Sequence, residues 1–294
     1  MATTKSKKTT AKKSSKPKAA ATKSTKTVKA EAATKKSGNP FKGFFAKKGD
    51  EKENILTIFK TPKIWGAILG EVVGTMFLTM LMLTLGVYQP LYVLIGVIAI
   101  TMAVYAFSGA HLNPAVTVGM MATRRVSAIR GVLYVVAQVV GAWLGLVIIG
   151  AFRDAGGALA DLPALTQVVD DKLWITIAIE FLGTAILGYF FCRAQDYRTP
   201  KGAFTYAAVV AGGLTLAILF AIVVSSNYLQ AQNNFMLNPA VALMHQIFPS
   251  SSADFGELMG VIWKESLTYI IVPMVGAVIG FFVADASKKL AGDE

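Results

Sequence analysis

The chain of 294 residues holds one cysteine and two histidines, and only 16% of it is charged. The lone Cys192 cannot form an intrachain disulfide, and its place at the end of an apolar run suits a small packed hydrophobe. His111 and His245 have no cysteine or carboxylate cluster beside them in the sequence, so no metal site and no cofactor are expected. There is no Ser/His/Asp grouping and no phosphate-binding glycine loop, which argues against an enzyme and against nucleotide-driven transport. The N-terminal stretch also lacks the early apolar run of a cleavable signal, staying polar until about Ile64.

Charge is scarce where apolar residues are dense. Hydrophobic residues make up 54% of the chain, and an average soluble domain carries about 25% charged residues. The net charge of +12 belongs to the N-terminal part: residues 1–60 contain 17 of the 29 Lys+Arg and 4 of the 17 Asp+Glu. Residues 1–40 offer almost nothing apolar to bury and are expected to be a disordered tail. Over 41–63, Phe41, Phe44, Phe45 and Phe59 alternate with lysines. That pattern suits a segment lying on an anionic membrane face, and a solvated linker is the competing reading. The tail itself is expected to touch anionic lipid rather than nucleic acid.

A bilayer core about 30 Å thick takes about 20 apolar residues to cross. Six stretches qualify: about 64–88, 91–107, 129–152, 173–192, 203–224 and 261–282. Two further apolar stretches, 113–123 and 238–248, would reach roughly 16 Å as helix, about half the bilayer. Arg124, Arg125 and Arg130 follow the first of these, and Arg193, Arg198 and Lys201 follow the fourth span. Basic loops remain cytoplasmic, so both termini, including a short tail over 285–294, are expected on that side of the cell membrane.

The chain repeats itself. Glu71, Gly74 and Thr75 recur at the same spacing as Glu180, Gly183 and Thr184, each set within the first span of its half. Leu112-Asn113-Pro114-Ala115-Val116 recurs letter for letter as Leu237-Asn238-Pro239-Ala240-Val241. Three spans separate equivalent points, so the halves (about 64–152 and 173–284) insert in opposite directions, giving an inverted repeat. The expected fold is an all-α membrane protein with six transmembrane helices and two re-entrant half-helices.

Proline suits the first turn of a helix, where its missing N–H costs nothing, and asparagine suits the cap before it. Each Asn-Pro-Ala triplet therefore marks a helix N-terminus with about half a positive charge. Two such ends meeting at the midplane oppose cations, while the Asn113 and Asn238 amides donate to a passing oxygen. Buried carboxylates are costly in a membrane. Glu71 and Glu180 are read as acceptors for backbone N–H groups of the re-entrant loops, with a proton relay as the alternative. His111 is read as a hydrogen-bonded group behind the first loop. Glycine pairs at Gly70/Gly74, Gly141/Gly145 and Gly276/Gly280 have the spacing that permits close helix approach.

On these motifs, residues 64–284 resemble the aquaporin and glycerol-facilitator family, with Ser108–Thr117 similar to its first signature. The resemblance implies a homotetramer with one pore per subunit, a passive channel for water or small neutral solutes such as glycerol. It also implies a selectivity filter near Val93, Ser226, Phe235 and Val241. Most relatives have arginine where Val241 stands, and glycerol facilitators usually add an aspartate where Ala242 and Leu243 follow. The filter is thus atypical, wider and less polar. A membrane protein that keeps the fold with little flux, in a structural or junction role, is the alternative function.

Overall fold

Within hydrocarbon a backbone must satisfy its own polar groups, and long helices do so segment by segment. The computed structural model describes residues 58–85, 89–154, 172–229, 235–247, 263 and 265–292. The tail over 1–40 and most of the segment 41–63 lie outside these residues. Six long helices carry the fold: α1 Pro62–Leu85, α2 Pro90–Ser108, α4 Ala128–Asp154, α5 Leu173–Ala194, α6 Ala203–Val224 and α8 Val272–Ala291. Two short ones lie between them, α3 Pro114–Ala122 and α7 Pro239–Ala242. All six long helices are long and apolar enough to cross a membrane. No β-strand occurs among the described residues.

Prolines open these helices as their chemistry dictates: Pro90, Pro114, Pro239 and Pro273 each sit at the first or second helical position. The spans are apolar on all sides, as helices facing lipid are. Trp65, Leu91, Phe107, Val136, Trp174 and Phe204 all point outward.

The contacts repeat with the sequence. In the first half α1 packs on α2 and α4, and in the second α5 packs on α6 and α8. The short helices cross over, α3 against α8 and α7 against α4. Glycine makes the tightest of these contacts possible. A Cβ on Gly141 or Gly145 would fall 2.3 Å from the Val72 carbonyl oxygen or 2.7 Å from that of Met76. A Cβ on Gly276 or Gly280 would fall 2.3 Å from the Phe181 oxygen or 2.1 Å from that of Ala185. Val72 and Met76 stand in α1 where Phe181 and Ala185 stand in α5, so the two seams are mirror copies. The Gly70/Gly74 pair differs. Gly70 meets α2, but a Cβ on Gly74 would strike Leu112 of the first re-entrant loop at 2.4 Å, and one on Gly183 would strike Leu237 at 2.5 Å. We expect Gly280→Ala to destabilise the protein by about 1–3 kcal/mol through overpacking. Gly212→Ala, with nothing within 4 Å of its added Cβ, is the neutral control; thermal unfolding in detergent distinguishes the two.

Three details differ from the sequence expectation. The fifth span continues past Val224 as a π-helical turn, Ser225–Leu229. The second half-helix has only the short α7 before a π-turn, Leu243–Ile247. The last helix does not end near 282 but runs to Ala291. Arg125 pairs with Asp285 through two hydrogen bonds of 3.0 and 2.5 Å, and Lys288 pairs with Asp196. These ties anchor the extension to the loops on the same face. A third π-turn, Leu267–Ile271, precedes α8. Among the described residues all three π-turns lie in the second half.

Candidate pore

The site grows from the two loops that precede α3 and α7. Each enters the apolar interior without helical hydrogen bonds of its own, and a buried carboxylate supplies them. Glu71 Oε1 accepts from the His111 N–H (3.0 Å) and Oε2 from the Leu112 N–H (2.8 Å). Glu180 Oε1 accepts from the Met236 N–H (2.5 Å) and Oε2 from the Leu237 N–H (3.0 Å). Both carboxylates are wholly buried. The backbone-acceptor reading of Glu71 and Glu180 therefore has its geometry. Leu112 and Leu237 both sit in the left-handed region, at φ 53° and 54°, a strained conformation for a side-chain-bearing residue. The carboxylates hold the chain there, and the turn aims the following asparagines inward.

Asn113 and Asn238 each cap their helix, Oδ1 accepting from the Ala115 N–H at 2.8 Å and the Ala240 N–H at 3.0 Å. Their amides then cross over. Asn113 Nδ2 donates to the Leu237 carbonyl (2.8 Å) and Asn238 Nδ2 to the Leu112 carbonyl (3.0 Å). Cap and crossing bond lock both side chains, and each Nδ2 keeps one further N–H. Pro114, Ala115, Pro239 and Ala240 start the two helices, all buried.

Asn113, Asn238, Leu112 and His111 line a cavity of about 30 Å³. A water needs about 10–15 Å³ by this measure, so the space suits about two waters. Its walls come in pairs that exchange between halves: Leu78 with Leu187, Met82 with Phe191, Val97 with Val210, Thr101 with Leu214, His111 with Met236 and Asn113 with Asn238. Most of the wall is apolar. The Thr101 hydroxyl and His111 Nε2 are buried with no protein partner, so they add polar atoms to a lining otherwise served by the two amides.

The first half also carries a polar network that the sequence did not reveal. Gln138 Nε2 donates to Glu71 Oε2 at 2.7 Å and to Thr117 Oγ1 at 2.9 Å, and His111 Nδ1 lies 3.2 Å from that hydroxyl. His111 is hydrogen-bonded to Thr117 and also lines the cavity. By the spacing of the repeat, Gln138, Thr117 and His111 correspond to Pro273, Ala242 and Met236. The partners are apolar, so matching the halves could not single out the network.

The four expected filter residues are not all brought together. Val93, Phe235 and Val241 are buried, with Val241 packed among Met236, Ala242 and Tyr269. Ser226 is exposed, and its neighbour Ser225 is buried. The π-turn explains this correction, because it adds a residue to the helical register. Counting without gaps then lands one position past the inward one.

An inverted repeat of six apolar spans, with two half-helices meeting around a central cavity, defines a multi-pass membrane protein of channel architecture. The chain belongs to the major intrinsic protein family, whose profile matches residues 58–284. Members of that family are channels and not enzymes. The chain is 32% identical over 190 residues to glycerol uptake facilitator protein-like 6 of Lactiplantibacillus plantarum, across 64% of this chain and 80% of that one. It is 28% identical over 248 residues to aquaporin-4 of Homo sapiens, across 78% and 70%. The X-ray structure of the aquaglyceroporin from Plasmodium falciparum shares the fold. Its TM-score is 0.57 at 18% identity, over 79% of this chain and 100% of that one.

Proposed function

We propose that the chain is a passive channel for water and small neutral solutes such as glycerol, conducted between Asn113 and Asn238. The reciprocal crossing of the two amides carries this reading. It fixes two donors beside a narrow apolar cavity, where a solute oxygen accepts from them in turn, and it holds two helix N-termini where a cation is opposed. Val93, Phe235, Val241 and Ser225, in place of Ser226, form the outer constriction. With an aliphatic group where most relatives have arginine, that constriction is less polar and favours solutes with an apolar face, glycerol among them.

The basic loops support a cytoplasmic location for both termini. Exposed apolar faces on every span leave room for lipid and for a homotetramer, while the Lys-rich tail meets anionic headgroups. Stopped-flow light scattering on proteoliposomes of the full chain tests the conduction. Glycerol entry well above that of empty vesicles is the expected result. Water flux alone would mean that another side chain narrows the mouth, and absence of both from folded protein would leave only the structural or junction role.

A further inference from the structure

We infer that Arg198 is a charge filter at the mouth of the pore opposite Val241, resting on the channel reading above. The loop between α5 and α6 is held by several independent ties. Gln195 Nε2 donates to the Phe191 carbonyl (3.2 Å) and to the Tyr206 hydroxyl (3.1 Å), while Asp196 pairs with Lys288. The Tyr105 hydroxyl donates to the Thr199 carbonyl at 3.0 Å. Between these anchored residues stands Arg198, and its guanidinium lies against Gly109. A Cβ on Gly109 would fall 2.8 Å from Arg198 Nη2 and 2.9 Å from Cζ.

Gly109 is the hinge where α2 ends and the first re-entrant loop begins, at φ 88°. Its carbonyl accepts from the buried Tyr206 hydroxyl at 2.7 Å. The next residues, Ala110 and His111, line the central cavity. Arg198 therefore sits where the cavity wall reaches the arginine-bearing face.

The charge is available. Asp196 is engaged by Lys288 and Arg193, and Arg125 holds Asp285. Among the described residues no carboxylate pairs with Arg198. Arg198 and Arg130 both bring positive charge toward His111 at the cavity wall, where the Glu71 carboxylate is already engaged by His111, Leu112 and Gln138. A cation approaching along the first loop meets this field, and a neutral solute does not.

The two-fold relation gives the position its meaning. The pairing of Val97 with Val210 and Thr101 with Leu214 in the cavity wall sets Tyr206 opposite Val93. At one mouth that position is the aliphatic Val93, a residue of the proposed outer constriction. At the other it is an aromatic ring bound to the loop backbone under an arginine. The cation absent from the Val241 end is thus present at the Arg198 end, beside an aromatic ring.

The test compares guanidinium, a small cation, with glycerol in proteoliposomes of the full chain. In Arg198→Ala, guanidinium entry should rise about tenfold, the effect of removing one close unit charge at a partly screened site, while glycerol entry stays within about twofold. Arg198→Lys should keep the wild-type exclusion. On the wild-type protein, raising the salt to about 1 M shortens the screening length to about 3 Å and should weaken the exclusion, which needs no variant to fold. Unchanged guanidinium entry in Arg198→Ala, or no salt effect in the wild type, would overturn the inference. So would an equal rise in glycerol entry, which would mark Arg198 as a steric plug. Absence of glycerol entry in the wild type would instead remove the channel reading itself.

Discussion

Glu180→Ala is expected to lower water and glycerol flux at least about tenfold and to make the purified protein unfold earlier. The carboxylate is the acceptor for two buried N–H groups, those of Met236 and Leu237. Leaving a buried donor without a partner costs about 1–3 kcal/mol, so the loop loses about 2–6 kcal/mol of support. That loop also holds Leu237 in the left-handed region. Once it relaxes, the Leu237 carbonyl moves off the Asn113 amide and the locked donor pair is lost from both halves. Glu71→Ala removes an acceptor from the His111 and Leu112 N–H groups in the same way. It also strips the buried Gln138 Nε2 of the Glu71 oxygen to which it donates, leaving only its bond to Thr117, so one more buried donor loses a partner than in Glu180→Ala. The expected order is therefore Glu71→Ala at least as destabilised as Glu180→Ala in unfolding temperature, with both severely impaired in stopped-flow flux. Flux within about twofold of wild type in Glu180→Ala would refute the supporting role.

This role was legible because it is written twice. Glu71 with Leu112-Asn113-Pro114 and Glu180 with Leu237-Asn238-Pro239 are identical letters at mirrored places, and a carboxylate inside an apolar span demands a partner in any case. What occurs once, or depends on local register, was not legible. Gln138 looks like one polar residue in a long apolar helix until the fold sets it between Glu71 and Thr117. Ser225 and Ser226 are equivalent by spacing, and only the π-turn decides which faces inward. The glycine spacing could not say that Gly74 makes room for a leucine of the loop while Gly141 lies on a helix backbone. The extension of α8 to Ala291 rests on Asp285 and Lys288 meeting Arg125 and Asp196, pairings that no local pattern announces. Arg198 read as one more positive residue of a cytoplasmic loop, since its neighbour Gly109 is far away in sequence.

Val241→Arg is expected to reduce glycerol entry at least about tenfold while water flux falls by no more than a few-fold. Val241 is 2% exposed and packs against Met236, Ala242 and Tyr269. A guanidinium at this position cannot stay among them at acceptable cost, because an unpaired charge in an apolar cluster loses its hydration. It extends instead toward the polar path, as long cationic side chains do when their base is buried. There it narrows the constriction and adds five N–H donors, which single waters satisfy more readily than a three-carbon solute does. Val241→Met separates size from charge: if length alone narrows the mouth, both variants lose glycerol entry equally. The charge has its own readout. In the double variant Arg198→Ala with Val241→Arg, guanidinium exclusion should return to the wild-type level, because a cation anywhere along a single-file path opposes another cation. Restored exclusion would mean that a positive charge at either mouth serves the same purpose, and that this chain carries its charge at the mouth opposite Val241. Continued leakage with Val241→Arg folded and conducting water would confine charge selection to the Arg198 side.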